Sequence, residues 1–278
     1  MKFGVIITTY NSPLWLEKVL WGYENQTDSN FEVIIADDGS DDETKAVIDK
    51  FISKKKLHIL HIWHKDDGFR KTVILNKAIQ ETNCDYLMFT DGDCIPRNDT
   101  IRTHKNHAQK GKFCSAGYFK LTMPVSCEIT EEDIKSGNIF NKLWLRKKGQ
   151  PKSSKELKLT AKGISQKILN FITPTKATWN GANSSAYKED ILAVNGFDER
   201  LQYGGLDREM GERMENKGIK GIQIRYSSIC LHLDHKRGYE APEVWAKNKA
   251  IRDEIKKERL TWTNFGIVKE PLIKSFRN

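Results

Sequence analysis

The chain has 278 residues, 38% hydrophobic and 30% charged, with 46 Lys and Arg against 37 Asp and Glu for a net charge of +9. That is enough chain for one large α/β domain or two intimately packed halves, and no apolar run approaches the ~20 residues a bilayer span needs. The five cysteines (Cys84, Cys94, Cys114, Cys127, Cys230) are scattered without a CxxC pair, which argues against a disulfide framework or structural zinc and predicts a reducing, cytoplasmic setting.

Residues 2–8 are apolar and β-branched and read as a first strand. They resemble a signal start only superficially: Thr8-Thr9-Tyr10-Asn11 breaks the run, and no small-residue cleavage site follows. Residues 14–23 carry helical spacing, with Ser12 as N-cap and Pro13 at the first helical position. Strand 31–36 ends in Asp37-Asp38-Gly39-Ser40 and is followed by helix 41–54, strand 57–63, helix 71–81 and strand 85–90. Such alternation predicts a mostly parallel sheet flanked by helices. Beyond residue 100 the pattern loosens. Strands are expected around 113–121, a helix end at 190–194, a helix over 208–217 stopped by Gly218, a strand over 221–230 and a charged helix over 243–259. Residues 142–167 hold nine Lys and Arg against Glu156 alone, a local charge of +8 that suits an anionic lipid surface, a phosphorylated substrate or nucleic acid.

Three polar sites fall at the carboxyl ends of expected strands: Thr8-Thr9-Tyr10-Asn11, Asp37-Asp38 and Asp91-Gly92-Asp93. In a parallel sheet these ends share one edge, where ligands bind. Asp-Gly-Asp alone is also an ordinary turn; three such sites behind apolar strands point to a cleft. Paired carboxylates there suit a divalent cation bridging to phosphate. No GxxxxGK[ST] loop is present and no GxGxxG follows the first strand, which disfavours P-loop NTPases and ordinary NAD-binding folds.

These motifs, together with Asp67-Gly68-Phe69-Arg70 and Asn76-Lys77-Ala78-Ile79, resemble family 2 glycosyltransferases of GT-A fold. The likeness continues in Trp179-Asn180-Gly181-Ala182-Asn183-Ser184-Ser185, Gly196-Phe197-Asp198-Glu199 and Gly204-Gly205-Leu206-Asp207-Arg208-Glu209, a portion similar to chondroitin-type polymerases and β-1,4-galactosyltransferases. It covers residues 1–125 and 177–239; residues 126–176 match nothing in the family pattern. The resemblance implies an α/β fold of GT-A type, a single domain with a nucleotide-binding half (1–100), an acceptor and catalytic half (101–240) and a helical basic tail (241–278).

It also implies roles. Thr9, Tyr10, Asn11, Asp37, Asp38, Arg70, Asn76, Asp91, Gly92 and Asn183 would hold the nucleotide sugar. Asp93 and His232 would bind Mn²⁺ or Mg²⁺, an imidazole favouring Mn²⁺. His232 and His235 are three apart in a strand-like segment, which predicts rings on opposite faces. Asp207 would be the general base, with Glu209 the runner-up; Leu206 stands where the relatives usually carry Glu. Trp179, Gly205 and Glu209 would meet the acceptor. The implied activity is inverting, metal-dependent transfer from a nucleotide sugar, UDP-linked, to a glycan or lipid-linked saccharide of a bacterial surface polymer. The enzyme would be cytoplasmic, with peripheral contact to anionic membrane through residues 142–167, and without nucleic acid. Two alternatives stand beside it: a nucleotidyltransferase acting on a sugar phosphate, and a basic nucleic-acid-binding protein. The first lacks the expected glycine-rich basic loop, and the second lacks aromatics interleaved with its lysines.

Overall fold

The computed structural model describes residues 1–235 and 241–269. Its first half alternates β1 (Phe3–Thr9), α1 (Pro13–Glu24), β2 (Glu32–Asp37), α2 (Asp42–Lys54), β3 (His58–Trp63), α3 (Lys71–Glu81) and β4 (Tyr86–Asp91). β5 (Cys94–Pro96), α4 (Thr100–His107), β6 (Lys112–Ser115) and β7 (Gly117–Lys120) follow. Residues 123–172 form the short helices α5 (Met123–Glu128), α6 (Glu131–Lys135), α7 (Lys142–Lys147), α8 (Leu157–Thr160) and α9 (Ile164–Ile172). The chain then runs through β8 (Ser184–Tyr187), α10 (Lys188–Leu192), α11 (Leu206–Asn216), β9 (Lys220–Gln223), β10 (Ile229–His232) and α12 (Pro242–Lys257).

Among the described residues a seven-stranded sheet has the order β3-β2-β1-β4-β8-β6-β9, and a three-stranded sheet the order β5-β10-β7. β3, β2, β1 and β4 are parallel; β8 runs antiparallel to both β4 and β6. Strand periodicity divides the core. Val5, Ile7, Val33, Ile35 and Met88 pack on one face of the sheet, Ile6, Ile34, Ala36, Leu87 and Phe89 on the other.

The mixed α/β fold agrees with the sequence expectation, and three details differ. β8 arises from Ser-Ser-Ala-Tyr, which has little strand propensity; its serines are buried, with Ser185 Oγ bonded to Tyr86 and His104. The single strand expected over 221–230 is split, because the chain turns at Ile224–Ser228 through backbone bonds from Ser227 and Ser228 to Ile224, so β9 and β10 join different sheets. The expected tail is a wall of the body: α12 buries Asn248, Ile251 and Ile255. Residues 236–240 and 270–278, the rest of the expected acceptor half and tail, lie outside the described residues. Segment 126–176 is also packed in, through Ile129, Ile134, Ile139, Leu145 and Leu159.

Candidate active site

The parallel register brings the three strand-end motifs together. Thr8 lies opposite Asp91, and Thr9 opposite Asp37. The Asp38 N–H donates to Thr9 O at 3.0 Å and the Gly92 N–H to Thr8 O at 2.7 Å. A Cβ on Gly92 would fall 2.9 Å from that Thr8 carbonyl, so only glycine lets the two strand ends close. The result is a cleft of about 650 Å³ lined by Thr8, Thr9, Tyr10, Asn11, Asp38, Lys71, Asp91, Gly92, Asp93, Gly205, Asp207, His232 and His235, among others. Thr9 Oγ1 is buried there without a hydrogen-bond partner, an orphan hydroxyl that a bound polar ligand would satisfy.

On the β1–β2 side, Asp38 accepts the Arg70 N–H at 3.0 Å and pairs with His64 Nε2 at 2.7 Å. Burial pushes its carboxyl up, against the lowering effect of those two partners. Asp37 sits beneath the loop rather than on the cleft surface: it is fully buried, accepts the Ser40 N–H at 2.8 Å and pairs with His61 at 3.0 Å. Tyr10 donates its hydroxyl to Asp66 at 3.0 Å, and Asn11, at φ 44°, accepts the Asp41 N–H at 2.8 Å. Two expected donor ligands are therefore engaged in shaping the loop.

At the centre, Lys71 Nζ lies 2.5 Å from Asp91 Oδ1, which also accepts the Thr8 hydroxyl at 2.9 Å. Burial alone would lower the Lys71 ammonium's pKa, but Asp91, Asp207 and Asp93 outweigh it and hold it charged. Asp207 stands in the first turn of α11 behind the left-handed pair Gly204 and Gly205. It accepts the Gly181 backbone N–H, and a Cβ on Gly181 would fall 2.8 Å from both Asp207 oxygens. Desolvation in the cleft, reinforced by Asp91 and opposed by Lys71, pushes Asp207 up to about 6. A carboxylate so tuned is ionised at neutral pH yet a far better proton acceptor than an ordinary Asp.

Asp93 faces two imidazoles. His235 Nε2 lies 3.1 Å and His232 Nε2 3.8 Å from Asp93 Oδ2. The rings are stacked, 5.6 Å apart at 19°. This corrects the expectation of opposite faces. β10 ends at His232, and the Leu233 N–H turns back to Asp93 O at 2.8 Å, so strand alternation no longer applies at residue 235. Burial would raise the Asp93 carboxyl, but the bond from His235 and the charge of both imidazoles hold it below the usual range. Asp93, Cys94 and His232 bring their ligand atoms within 4.8 Å of one another, and His235 reaches the group through Asp93. Burial keeps Cys94 a thiol, which donates to Asp93 Oδ1 at 3.2 Å. One carboxylate and two imidazoles are a donor set that fits a divalent metal, Mn²⁺ better than Mg²⁺.

Several expected site residues serve the scaffold instead. Asn183 is fully buried, bonded to His104 at 2.9 Å and to Gly117 O at 3.0 Å; burial depresses His104 to about 4, keeping it neutral. Asn76 holds the backbone of Phe197 with both ends of its amide. Glu209 is buried against Arg213, which also donates to the carbonyls of Val194 and Gly196; a carboxylate so committed neither meets an acceptor nor takes a proton. Arg70 turns its guanidinium out to Asp67 at 3.2 Å, so only its backbone serves the cleft. Trp179 is 0% exposed between Phe89 and Phe113. Beside Gly204 the cleft presents Trp245 on α12, 46% exposed, set edge-on to Tyr203 at 6.0 Å, with Phe69 beyond it. A Cβ on Gly204 would fall 2.9 Å from the Trp245 ring.

Sequence reasoning missed Lys71, His64, Tyr203 and Trp245, and set His235 behind His232. Lys71 was readable as the first residue of a helix beside Arg70. Trp245 carried no local signal, since it reaches the cleft only through packing of α12 on α11.

The comparisons with known proteins follow the same outline. The description "Glycosyl transferase family 2" matches residues 4–157, which include Asp91 and Asp93 but not Asp207 or His232, and which take in residues 126–157, correcting the expectation that this stretch lies outside the family pattern. An uncharacterised glycosyltransferase of Bacillus subtilis, YfnE, is 27% identical over 272 residues, covering 84% of this chain and 65% of that protein. The chain spans between 53% and 65% of the length of the first curated relatives it matches. Among solved structures, Staphylococcus aureus TarS in complex with UDP-GlcNAc superposes with a TM-score of 0.60 at 15% identity, covering 93% of this chain and 69% of that one. The Pyrobaculum calidifontis mannosyltransferase PcManGT, in complex with GDP-Man and Mn²⁺, gives 0.58 at 17% identity, covering 91% and 69%. These two likenesses show the shared fold. With the family match spanning more than half of its residues, the chain belongs to glycosyl transferase family 2.

Proposed function

We propose that this chain is the catalytic domain of an inverting, metal-dependent glycosyltransferase that moves a sugar from a nucleotide sugar, UDP-linked, to a saccharide or lipid-linked acceptor. The observation that carries the reading is Asp207, held at about 6 across the cleft from the Asp91–Lys71 pair. In an inverting transfer one carboxylate must take the acceptor hydroxyl's proton as that oxygen attacks the anomeric carbon, while the diphosphate leaves from the opposite face. Asp207 has the raised affinity and the position on the cleft wall for that task. Thr9 and Asp38 supply an orphan hydroxyl and an acceptor for base and ribose. Lys71 supplies positive charge where the diphosphate would lie, and its bond to Asp91 keeps it aimed there.

Asp93, His232 and His235 would hold the metal. Bound there it supplies Lewis-acid stabilisation of charge developing on the leaving diphosphate, in line with the Mn²⁺ bound by the mannosyltransferase of like fold. Trp245 and Tyr203 offer an apolar platform for a sugar ring, the role expected of Trp179. Gly204 and Gly205, both left-handed, let the backbone approach closely. The halves read from the sequence, 1–100 for the donor and 101–240 for chemistry and acceptor, organise this reading. The resemblance read from the sequence to chondroitin-type polymerases and β-1,4-galactosyltransferases would give Asp207 the same role. No helix of the described residues is long and apolar enough to cross a membrane. We infer a cytoplasmic enzyme acting in bacterial surface-polysaccharide synthesis.

The test is a thermal-shift screen of UDP-, GDP- and dTDP-sugars with and without Mn²⁺, on wild type and Asp93→Ala, run beside donor hydrolysis. Stabilisation by one nucleotide class, dependent on Mn²⁺ and lost in Asp93→Ala, is expected. No metal-dependent stabilisation by any of them would sink the reading.

A further inference from the structure

Helix α9 is oriented against the usual rule that a surface helix turns its apolar stripe inward. Ile164, Ile168, Phe171 and Ile172 recur at i, i+4, i+7 and i+8 and are 76%, 52%, 90% and 61% exposed. No residue of the helix is buried. The side that meets the body is largely polar. Asn170 donates to Ser227 Oγ at 2.8 Å and accepts the Tyr226 N–H at 3.0 Å, and Gln166 donates to Ala161 O at 3.0 Å. Thr173, just past the helix, bonds the Tyr226 hydroxyl at 3.4 Å. The helix is thus fastened by its polar side and presents its apolar side outward.

The charge around it is equally one-sided. Within residues 142–167 the only acid, Glu156, is taken by Arg146, and Lys148 pairs with Glu128. Among the described residues Lys142, Lys147, Lys152, Lys155, Lys162 and Lys167 form no ion pair. Lys162 precedes α9, and Lys167 lies at the border of its apolar stripe. An outward apolar stripe bordered by free lysines has the composition of a helix that lies in the boundary of an anionic bilayer. A second copy of this chain fits poorly, because a two-fold contact would set one cationic segment against the other.

We propose that α9 docks this protein on an anionic lipid surface, with Ile164, Ile168, Phe171 and Ile172 in the interface and the surrounding lysines on the headgroups. The site is fastened close to the cleft. Lys158 of α8, the helix that precedes α9, bonds Tyr118 O at 3.3 Å, and the Tyr118 ring lies 6.0 Å from that of His232. The contact gives a place to the expectation of membrane association, and it does not depend on sugar transfer.

Co-sedimentation of the full chain with phosphatidylglycerol–phosphatidylcholine vesicles, against pure phosphatidylcholine vesicles, tests it. Wild type is expected to bind the anionic vesicles alone. The double variants Ile168→Ser/Phe171→Ser and Lys162→Glu/Lys167→Glu should each bind about tenfold more weakly or worse, with melting temperature and donor-dependent thermal shift unchanged. Wild type remaining in the supernatant with both vesicle types would overturn the proposal. So would Ile168→Ser/Phe171→Ser binding as wild type does, or a concentration-dependent dimer that this variant abolishes. Because vesicle binding is read without donor or acceptor, its failure is distinct from failure of the transferase reading.

Discussion

The two walls of the cleft are made of different materials. One is the carboxyl edge of β1, β2 and β4, where Thr8, Thr9, Asp91 and Gly92 are held by the ladder hydrogen bonds of a buried parallel sheet. The other is a glycine turn at residues 204–205, the first turn of α11 and an aromatic side chain lent by α12. The first wall is fixed by backbone pairing, and shifting it means breaking the sheet. The second is held by side-chain packing, where a ring or a loop can change without disturbing the core. In the proposed transferase such a division would let diphosphate chemistry stay constant while the sugar and acceptor vary.

The sharpest way to break this comparison is at Asp207, the proton acceptor proposed for the packed wall. Asp207→Asn should lower transfer by about 10²–10⁴-fold in a coupled nucleoside-diphosphate release assay. Stability should move the other way. The Asp207 pKa rises from an ordinary 3.8 to about 6 on folding, so its contribution is most favourable at low pH and is lost as pH rises through about 6. The neutral amide should therefore raise the melting temperature at pH 8, with a ceiling of about 3 kcal/mol. A less stable Asp207→Asn would show that the carboxylate is not strained in place.

Next in size is the proposed metal site. Asp93→Ala, or chelation of wild type, should reduce transfer by about 10²-fold or more and remove Mn²⁺-dependent stabilisation by the donor. Lys71→Met should follow. Without the ammonium, Asp207 loses the charge that opposes its upward shift, so the acid limb of the pH–rate profile, expected near 6 in wild type from the Asp207 carboxyl, should move to higher pH. An unmoved limb would assign that limb to another group.

The smallest effects separate the two tryptophans. Trp179→Ala should cost about 3–5 kcal/mol in denaturant melts, as for a large buried ring. Trp245→Ala should change stability by about 0.5 kcal/mol or less and instead raise the KM for sugar substrates several-fold. The reverse pattern would undo the contrast between the walls.

The strand-end wall was legible in the sequence because each of its parts is local. Apolar β-branched runs declare strands, Asp-Asp-Gly-Ser and Asp-Gly-Asp declare their ends, and parallel pairing places those ends on one edge whatever the side chains do next. The segment 126–176 was opaque for the opposite reason: its helices are short, and α9 carries an amphipathic pattern whose outward orientation no periodicity reveals.

What the sequence determined by itself was the α/β alternation, the three converging strand-end motifs and the acids at residues 93 and 207. The tertiary structure alone decided which of those acids are free to act. Glu209 meets Arg213 and is spent in the core, while Asp207, two residues earlier on the same helix, is turned to the cleft beside Gly181. It decided likewise that His235 joins His232 at Asp93, that Lys71 rather than Arg70 supplies the buried cation, and that Trp245 rather than Trp179 lines the cleft. Periodicity and termini are properties of neighbours along the chain. A side chain's partner is a matter of distance across the fold, and that distance exists only once the sheet, α11 and α12 have packed.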